Sequence, residues 1–353
     1  VLAVAAYGLV EQPVRRYPLK WWWETLLAVL AVGGLWLGID ALHHTFKGYF
    51  FVGADKNPVP VHEWVEYLNP TIPGTLIDEK CVIDYWKPYN LQTRTDPDRC
   101  SKPGRPGANE IFLLGDSHAQ HLLPMLDAVT ARTGQRITFA HKRSCFIDPR
   151  VTLQLDGRPY TPCTDFASGE MERALQRLRS GDIVMISSNL NNYLSSNDFG
   201  GTSYGQPAYL GDQRLRVAEV RQAHVLSMRA FAQRLAAKGI QLVLFVDNPP
   251  LARDMVTCPK NSNISCSPDP AVIATRQQAV RLTLQAAAYG LPNVHVFDPT
   301  PHLLDVDGRV RYRNVLGHVL YPDSHHLSVT GSRSLAAPFE RFLTQAGLIP
   351  EPR

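Results

Sequence analysis

The chain has 353 residues, 44% hydrophobic and 19% charged, the latter against about 25% in an average soluble protein. The apolar content excludes disorder over most of the length and allows one large domain, or two with appendages. Lys+Arg 36 against Asp+Glu 32 leaves +4, too small and dispersed an excess to point to nucleic acid.

Position 1 is Val and the chain opens in an apolar run, so it reads as the C-terminal piece of something longer. Residues 1–10 (VLAVAAYGLV) are too short to span a bilayer and read as the end of a truncated transmembrane helix. Residues 11–20 are charged and proline-broken and read as a cytoplasmic loop. Residues 21–39 (WWWETLLAVLAVGGLWLGI) carry one charge, Glu24, and cover about 28 Å as a helix, close to a bilayer's hydrocarbon core. Trp21, Trp22, Trp23 and Trp36 fit interfacial anchors. A transmembrane helix is therefore expected over residues 21–42. Arg15, Arg16 and Lys20 precede it, so the positive-inside rule places that side in the cytoplasm and everything after about His43 outside it. His43 and His44 read as interfacial.

Six cysteines, with no CxxC or zinc-like spacing, fit three disulfides in an oxidising compartment. Pairing of sequence neighbours is expected, each closing a short loop: Cys81–Cys100, Cys145–Cys163 and Cys258–Cys266.

Residues 43–108 are rich in Pro and polar residues and read as a periplasmic linker or extension. From there to residue 347 five apolar, β-rich runs are bounded by turn residues: 110–115 (EIFLLG), 136–141 (RITFAH), 182–187 (DIVMIS), 240–246 (IQLVLFV) and 293–298 (NVHVFD). Helical periodicity is read over about 118–133, 167–179, 213–238, 269–289 and 328–345. Alternating strands and helices predict a five-stranded, mainly parallel sheet covered on both faces, in a domain over residues 109–347. The GxGxxG and GxxxxGK[ST] phosphate loops are absent.

Ligands gather at the carboxyl ends of strands in such sheets. The first strand runs into Gly115-Asp116-Ser117-His118, which puts Ser117 at a strand-to-helix turn. Its hydroxyl would be exposed, and its backbone N–H would face a developing oxyanion. A serine here can equally act only as a helix cap. Before the last helix stands Tyr321-Pro-Asp323-Ser-His325-His326-Leu-Ser328. The spacing of Asp323 and His326 lets the carboxylate fold onto one imidazole nitrogen and leaves the other for the serine. His325, two residues from Asp323, is the rival base.

GDSH after the first strand, with Asp323-Ser-His-His326 leading into LSxxG (Leu327 to Gly331), resembles the SGNH/GDSL hydrolase superfamily. More closely it resembles SGNH domains fused behind membrane acyltransferases of family three. Those proteins commonly end their membrane part in Glu-x-Pro-x-Arg, which here reads Glu11-Gln-Pro13-Val-Arg15. The resemblance implies a flavodoxin-like three-layer α/β/α domain with Ser117 as nucleophile, His326 as general base and Asp323 as its orienting partner. It selects His326 over His325 because the family places the histidine immediately before Leu-Ser.

The superfamily builds its oxyanion hole from the serine N–H, a glycine N–H and an asparagine side chain. Here Ser187-Ser188-Asn189-Leu190-Asn191-Asn192 lacks a clear GxND; Asn189 is the preferred donor, Asn191 the next, and Gly157 is a glycine without a clear place. The Asn-, Ser- and Tyr-rich stretch 188–213 suits sugar hydroxyls and faces, with Asn192, Tyr193, Tyr204 and Tyr209 as candidate contacts, or is a solvated loop.

A metal reading of Asp116, His118, His121, Asp323, His325 and His326 needs GNH[DE] and GHxH partners. Neither is present, Gly317-His318 being followed by Val319-Leu320; no metal is expected. The resemblance implies an O-acetyltransferase of the bacterial inner membrane. Its SGNH domain would lie in the periplasm, and a cell-envelope glycan such as lipopolysaccharide O-antigen would be the acceptor. By the same resemblance that domain would bind no cofactor, and acetyl-CoA would be the ultimate donor through a membrane acyltransferase domain of the same full-length chain. An exported carbohydrate esterase with the same triad is the alternative, and a noncatalytic glycan-binding module a lesser one.

Overall fold

The computed structural model describes residues 12, 21–46, 81–90, 100–195, 207–252, 266–316 and 318–350. Its contacts divide the chain into two units, residues 1–54 and 55–353.

Among the described residues of the first unit, the helix α1 (Trp21–Phe46) runs 26 residues, beyond the expected end at residue 42. Its described apolar side chains are uncovered, Val32, Leu35 and Trp36 being 68%, 66% and 65% exposed. No helix among the described residues is long and apolar enough to cross a membrane. The expected transmembrane span is therefore corrected to a helix. Residues 1–11 and 13–20, expected as the end of a truncated helix and a cytoplasmic loop, and the side chains of 21–25, 27, 28 and 42–46 lie outside the described set.

The second unit begins with two short strands, β1 (Val82–Ile83) and β2 (Ser101–Lys102). There follow β3 (Glu110–Gly115), α2 (Ser117–Gln120), α3 (Leu123–Thr133) and β4 (Arg136–Lys142). Next come β5 (Thr152–Leu155), β6 (Arg158–Pro159), α4 (Thr161–Arg177), β7 (Ile183–Ser187) and α5 (Leu190–Leu194). Then β8 (Ala208–Leu210), β9 (Gln213–Leu215), α6 (Val217–Ala236), β10 (Gln241–Phe245) and α7 (Pro270–Ala288). The chain closes with β11 (Val294–Phe297), α8 (Thr300–Leu303), α9 (Val329–Ser334) and α10 (Ala336–Gln345).

The main sheet has seven strands, not five, in the order β1-β4-β3-β7-β10-β11 with β2 also on β4. The added strands are two residues each, too short for any periodicity to reveal. β1 is parallel and β2 antiparallel to β4, and the Cys81–Cys100 disulfide ties their starts together. A second sheet, β6-β5-β8-β9, was not foreseen. Its strands are short and largely exposed, and two of them fall within the stretch expected as a loop or as the start of a helix.

β3, β4, β7 and β10 are buried over nearly their whole length because both faces are covered, while β11 at the sheet edge is only half-buried at His295 and Val296. Successive residues of β3 point to opposite faces. Phe112 and Leu114 join one apolar cluster, with α4 and α6; Ile111 and Leu113 join the other, with α3 and α10. Two helices read as continuous are split. Pro124 has no N–H for the Gln120 carbonyl, and Pro338 none for that of Ser334, so α2 and α9 stop there.

Cys145–Cys163 is formed as expected. Cys266 is disulfide-bonded, and Cys258 lies outside the described residues.

The chain leaves β3 for β4 on one side, and β7 pairs with β3 on the other. The strand order thus reverses at the carboxyl end of β3, where a crevice opens in doubly wound sheets.

Candidate functional site

β3 and β7 approach so closely at that end that only glycine fits. A Cβ on Gly115 would lie 1.8 Å from the Ser187 carbonyl oxygen. The chain then turns into α2. Asp116 caps this turn, its Oδ1 accepting from the N–H of His118 at 2.8 Å. Its Oδ2 accepts from the N–H of Asn189 at 3.1 Å. One buried carboxylate therefore fixes both the serine turn and the loop after β7. Burial raises its pKa from the ordinary 3.8 to about 6.

Ser117 Oγ lies 2.8 Å from Nε2 of His326. His326 Nδ1 lies 2.6 Å from Asp323 Oδ2. Asp323 Oδ1 accepts from the backbone N–H of His326 and of His325, at 2.7 and 2.9 Å. The carboxylate thus shapes its own loop and also orients the imidazole. Burial pushes Asp323 up, but the charge and hydrogen bond of His326, with help from His325 and the backbone, hold it well below the ordinary carboxylate range.

The loop is docked from three sides. Leu327 N–H donates to His121 Nδ1 at 3.3 Å, Leu251 N–H to the Ser324 carbonyl at 2.7 Å, and the Tyr321 hydroxyl to the Pro249 carbonyl at 2.9 Å. Burial, then the neighbouring His118 and His326, drive the pKa of His121 well below the histidine norm. It is thereby held neutral with Nδ1 open to accept. Behind the loop Ser328 caps α9, and Gly331 leaves no room for a Cβ, which would meet the Leu320 carbonyl oxygen at 2.2 Å. These two contacts account for the LSxxG spacing.

His325, the rival base, lies beside the same carboxylate, its Nδ1 3.6 Å from Asp323 Oδ1, but it is the His326 ring that meets Ser117. His325 Nδ1 lies 3.2 Å from Ser324 Oγ. Burial and the charge of His326 lower its pKa to about 3, and its ring stands 4.0 Å from that of His326.

The remaining expected contacts are dispersed. Asn189 is buried beside Asp116 at the end of β7. Asn191 is committed: its N–H donates to Asp247 Oδ2 at 2.9 Å and its side-chain amide to the Asn248 carbonyl at 3.1 Å. Asn192 and Tyr193 line a cavity of about 330 Å³ with Leu153, Arg214 and Arg216, and the Tyr193 ring packs on Phe146 at 5.0 Å. Tyr209 sits in β8, paired with β5 and β9. Gly157 occupies the β5–β6 turn at φ +75°, a conformation glycine adopts readily. Tyr204 lies outside the described residues.

Sequence reasoning missed Asp247 and Asn248, which follow β10. Asp247 Oδ1 lies 2.6 Å from Nδ1 of His118, and the Asn248 side chain donates to the His325 carbonyl at 2.8 Å. Their signal was positional: polar residues directly after a buried strand whose carboxyl end faces the crevice.

Residues 81–341 match the family described as "SGNH domain (fused to AT3 domains)". No curated protein matches the chain significantly. Among solved structures, the periplasmic domain of the lipopolysaccharide acetyltransferase of Salmonella ser. Paratyphi A is similar at 13% identity and TM-score 0.47, over 80% of this chain and 94% of that one. Axe2, an acetylxylan esterase from Geobacillus stearothermophilus, is similar at 14% identity and TM-score 0.35, over 69% of this chain and 97% of that one. At these scores the family match alone carries weight.

Proposed function

We propose, since the chain belongs to the family of SGNH domains fused to AT3 domains, that it is an O-acyltransferase, delivering an acetyl group to a cell-envelope carbohydrate such as lipopolysaccharide O-antigen. The observation that carries the reading is the continuous contact Ser117 Oγ–His326 Nε2–His326 Nδ1–Asp323 Oδ2, at 2.8 and 2.6 Å. Ser117 is the nucleophile, His326 the general base and Asp323 the group that orients it.

Ser117 Oγ attacks the carbonyl carbon of the acyl donor while its proton passes to His326 Nε2. The tetrahedral oxyanion takes hydrogen bonds from the Ser117 N–H and the Asn189 side chain; one such donor is worth about 10²–10³ in rate. The bond to the donor's leaving group breaks, and His326 returns the proton to it. The product is an acyl ester on Ser117. A sugar hydroxyl then gives its proton to His326 and attacks that ester. Ser117 Oγ departs and takes the proton back.

The family's fusion to AT3 domains supports a membrane setting. In this reading the acetyl group comes ultimately from acetyl-CoA through the membrane acyltransferase domain of the full-length protein, and the SGNH domain itself binds no cofactor. α1 leaves Leu, Val and Trp side chains uncovered, and the membrane setting of this reading rests on the family's fusion to AT3 domains rather than on that helix. The disulfides fit an oxidising compartment.

The test is to incubate the full chain with an acetyl donor and an envelope glycan and follow both products. Acetylated glycan formed by the native protein and lost in Ser117→Ala supports the reading. Free acetate without acetylated glycan replaces it with an exported carbohydrate esterase using the same triad.

A further inference from the structure

We propose that His118, His325 and His326 form a binding site for a divalent transition-metal ion such as Zn²⁺, and that occupancy switches the serine off. One ring nitrogen from each of the three lies within 4.8 Å of the others. Two of the rings are prepared in the same way. His118 Nδ1 lies 2.6 Å from Asp247 Oδ1, and His326 Nδ1 lies 2.6 Å from Asp323 Oδ2. A carboxylate on one imidazole nitrogen fixes ring orientation and turns the other nitrogen away from it, the arrangement that supports metal-binding histidines; in His326 that other nitrogen also meets Ser117 Oγ at 2.8 Å, a contact the ion would displace.

His118 supplies the second observation. Its Nε2 is buried and has no hydrogen-bond partner, a costly state for a polar atom. The serine turn does not need it, since the capping there is done by Asp116. The rings of His325 and His326 stand 5.4 and 5.0 Å from that of His118.

Imidazole nitrogens suit Zn²⁺, Cu²⁺ and Ni²⁺. Zn–N bonds of about 2.0–2.1 Å put the nitrogens of a tetrahedral site roughly 3.3 Å apart, so the cluster must tighten on binding. His325 gives the necessary freedom, its side chain being 37% exposed. Three nitrogens leave a fourth position for water or for Ser117 Oγ. The Asp247 and Asp323 carboxylates behind the rings add favourable charge.

The ion would occupy His326 Nε2, the atom that receives the serine proton in the proposed mechanism. Binding stands on the geometry alone; the inhibition rests on the proposed acyl-transfer reading.

The experiment is calorimetric titration of the chelator-treated full chain with ZnCl₂, together with ester hydrolysis on a chromogenic acetyl ester across the same zinc range. The expected result is one ion per chain in the micromolar range, affinity at least about tenfold weaker in His325→Ala, and retained binding in Ser117→Ala. Hydrolysis by the native chain falls over the same zinc range and returns with chelator; His325→Ala, compared with its own zinc-free rate, needs at least about ten times more zinc. His325 is partly exposed, so this variant is expected to keep its fold, which its circular dichroism melt checks. No binding at millimolar zinc, or equal affinity in His325→Ala, overturns the site. Zinc binding that weakens in His325→Ala, in a chain without any ester activity, upholds the site and removes the acyl-transfer reading instead.

Discussion

His118 and Asp247 repeat, inside the core, the pairing that His326 and Asp323 make at its rim. Nδ1 and Oδ1 are 2.6 Å apart and both side chains are 1% exposed, with the His118 ring 5.0 Å from that of His326. Burial works against a charged imidazole, but the charge and hydrogen bond of Asp247 more than offset it and raise the pKa of His118. Asp247 also receives the Asn191 N–H, so one carboxylate joins α2, the first turn of α5 and the end of β10.

Asp247→Ala strips the shared acceptor from two buried donors, His118 Nδ1 and the Asn191 N–H. Leaving buried donors unpaired costs about 1–3 kcal/mol each. Urea denaturation is expected to give a loss of that order, with a smaller one in Asp247→Asn, which keeps an acceptor. A loss under about 1 kcal/mol in the alanine variant contradicts this role.

Asp323→Asn keeps the loop's shape but removes the charge that fixes the His326 tautomer. Turnover of an acetyl ester is expected to fall by about 10⁴-fold with little change in KM. A drop below tenfold would assign orientation of His326 to some other group.

Asp116 carries a pH signature. Its folded pKa is raised to about 6 from 3.8, so between those values the folded protein holds more protons than the unfolded chain. Stability from this group is therefore greatest below about pH 4 and is lost as pH rises through 6, by on the order of 3 kcal/mol. Asp323, held low, runs the other way: its contribution is present above the ordinary carboxylate pKa and is lost as pH falls below it. Chemical denaturation of the native chain and Asp116→Asn at pH 4.5 and 7 separates the two, because only the Asp116 slope disappears in the variant. Identical pH slopes would refute the assignment.

Gly115→Ala tests the close approach beneath the serine. The added Cβ meets the Ser187 carbonyl oxygen at 1.8 Å, so β3 and β7 must part. Both melting temperature and turnover are expected to fall, the overpacking costing about 1–3 kcal/mol. An alanine variant with native stability would mean that the strands have slack.

The five longer strands were legible because a strand buried on both faces is an uninterrupted apolar run between turn residues, as in EIFLLG and IQLVLFV. The convergence of Ser117, His326 and Asp323 was legible because GDSH follows a buried strand and DSHHLS carries a carboxylate and an imidazole at a spacing that lets them pair. What was not legible rests on tertiary contact. β1 and β2 exist through pairing to β4 and the Cys81–Cys100 link. The β5–β9 sheet is built from strands too short to show a period. Asp247 acquires its role only when α2 brings His118 beneath it. Asn192 and Tyr193 were grouped with the site by composition, whereas the fold turns Tyr193 onto Phe146.

The most direct measurement is mass spectrometry of the full chain after brief exposure to an activated acetyl ester at low pH quench. The account predicts one acetyl group on the peptide containing Ser117, absent from Ser117→Ala and formed at least about 10³-fold more slowly in His326→Ala. Acetyl found on another residue, or undiminished turnover by Ser117→Ala, would contradict it.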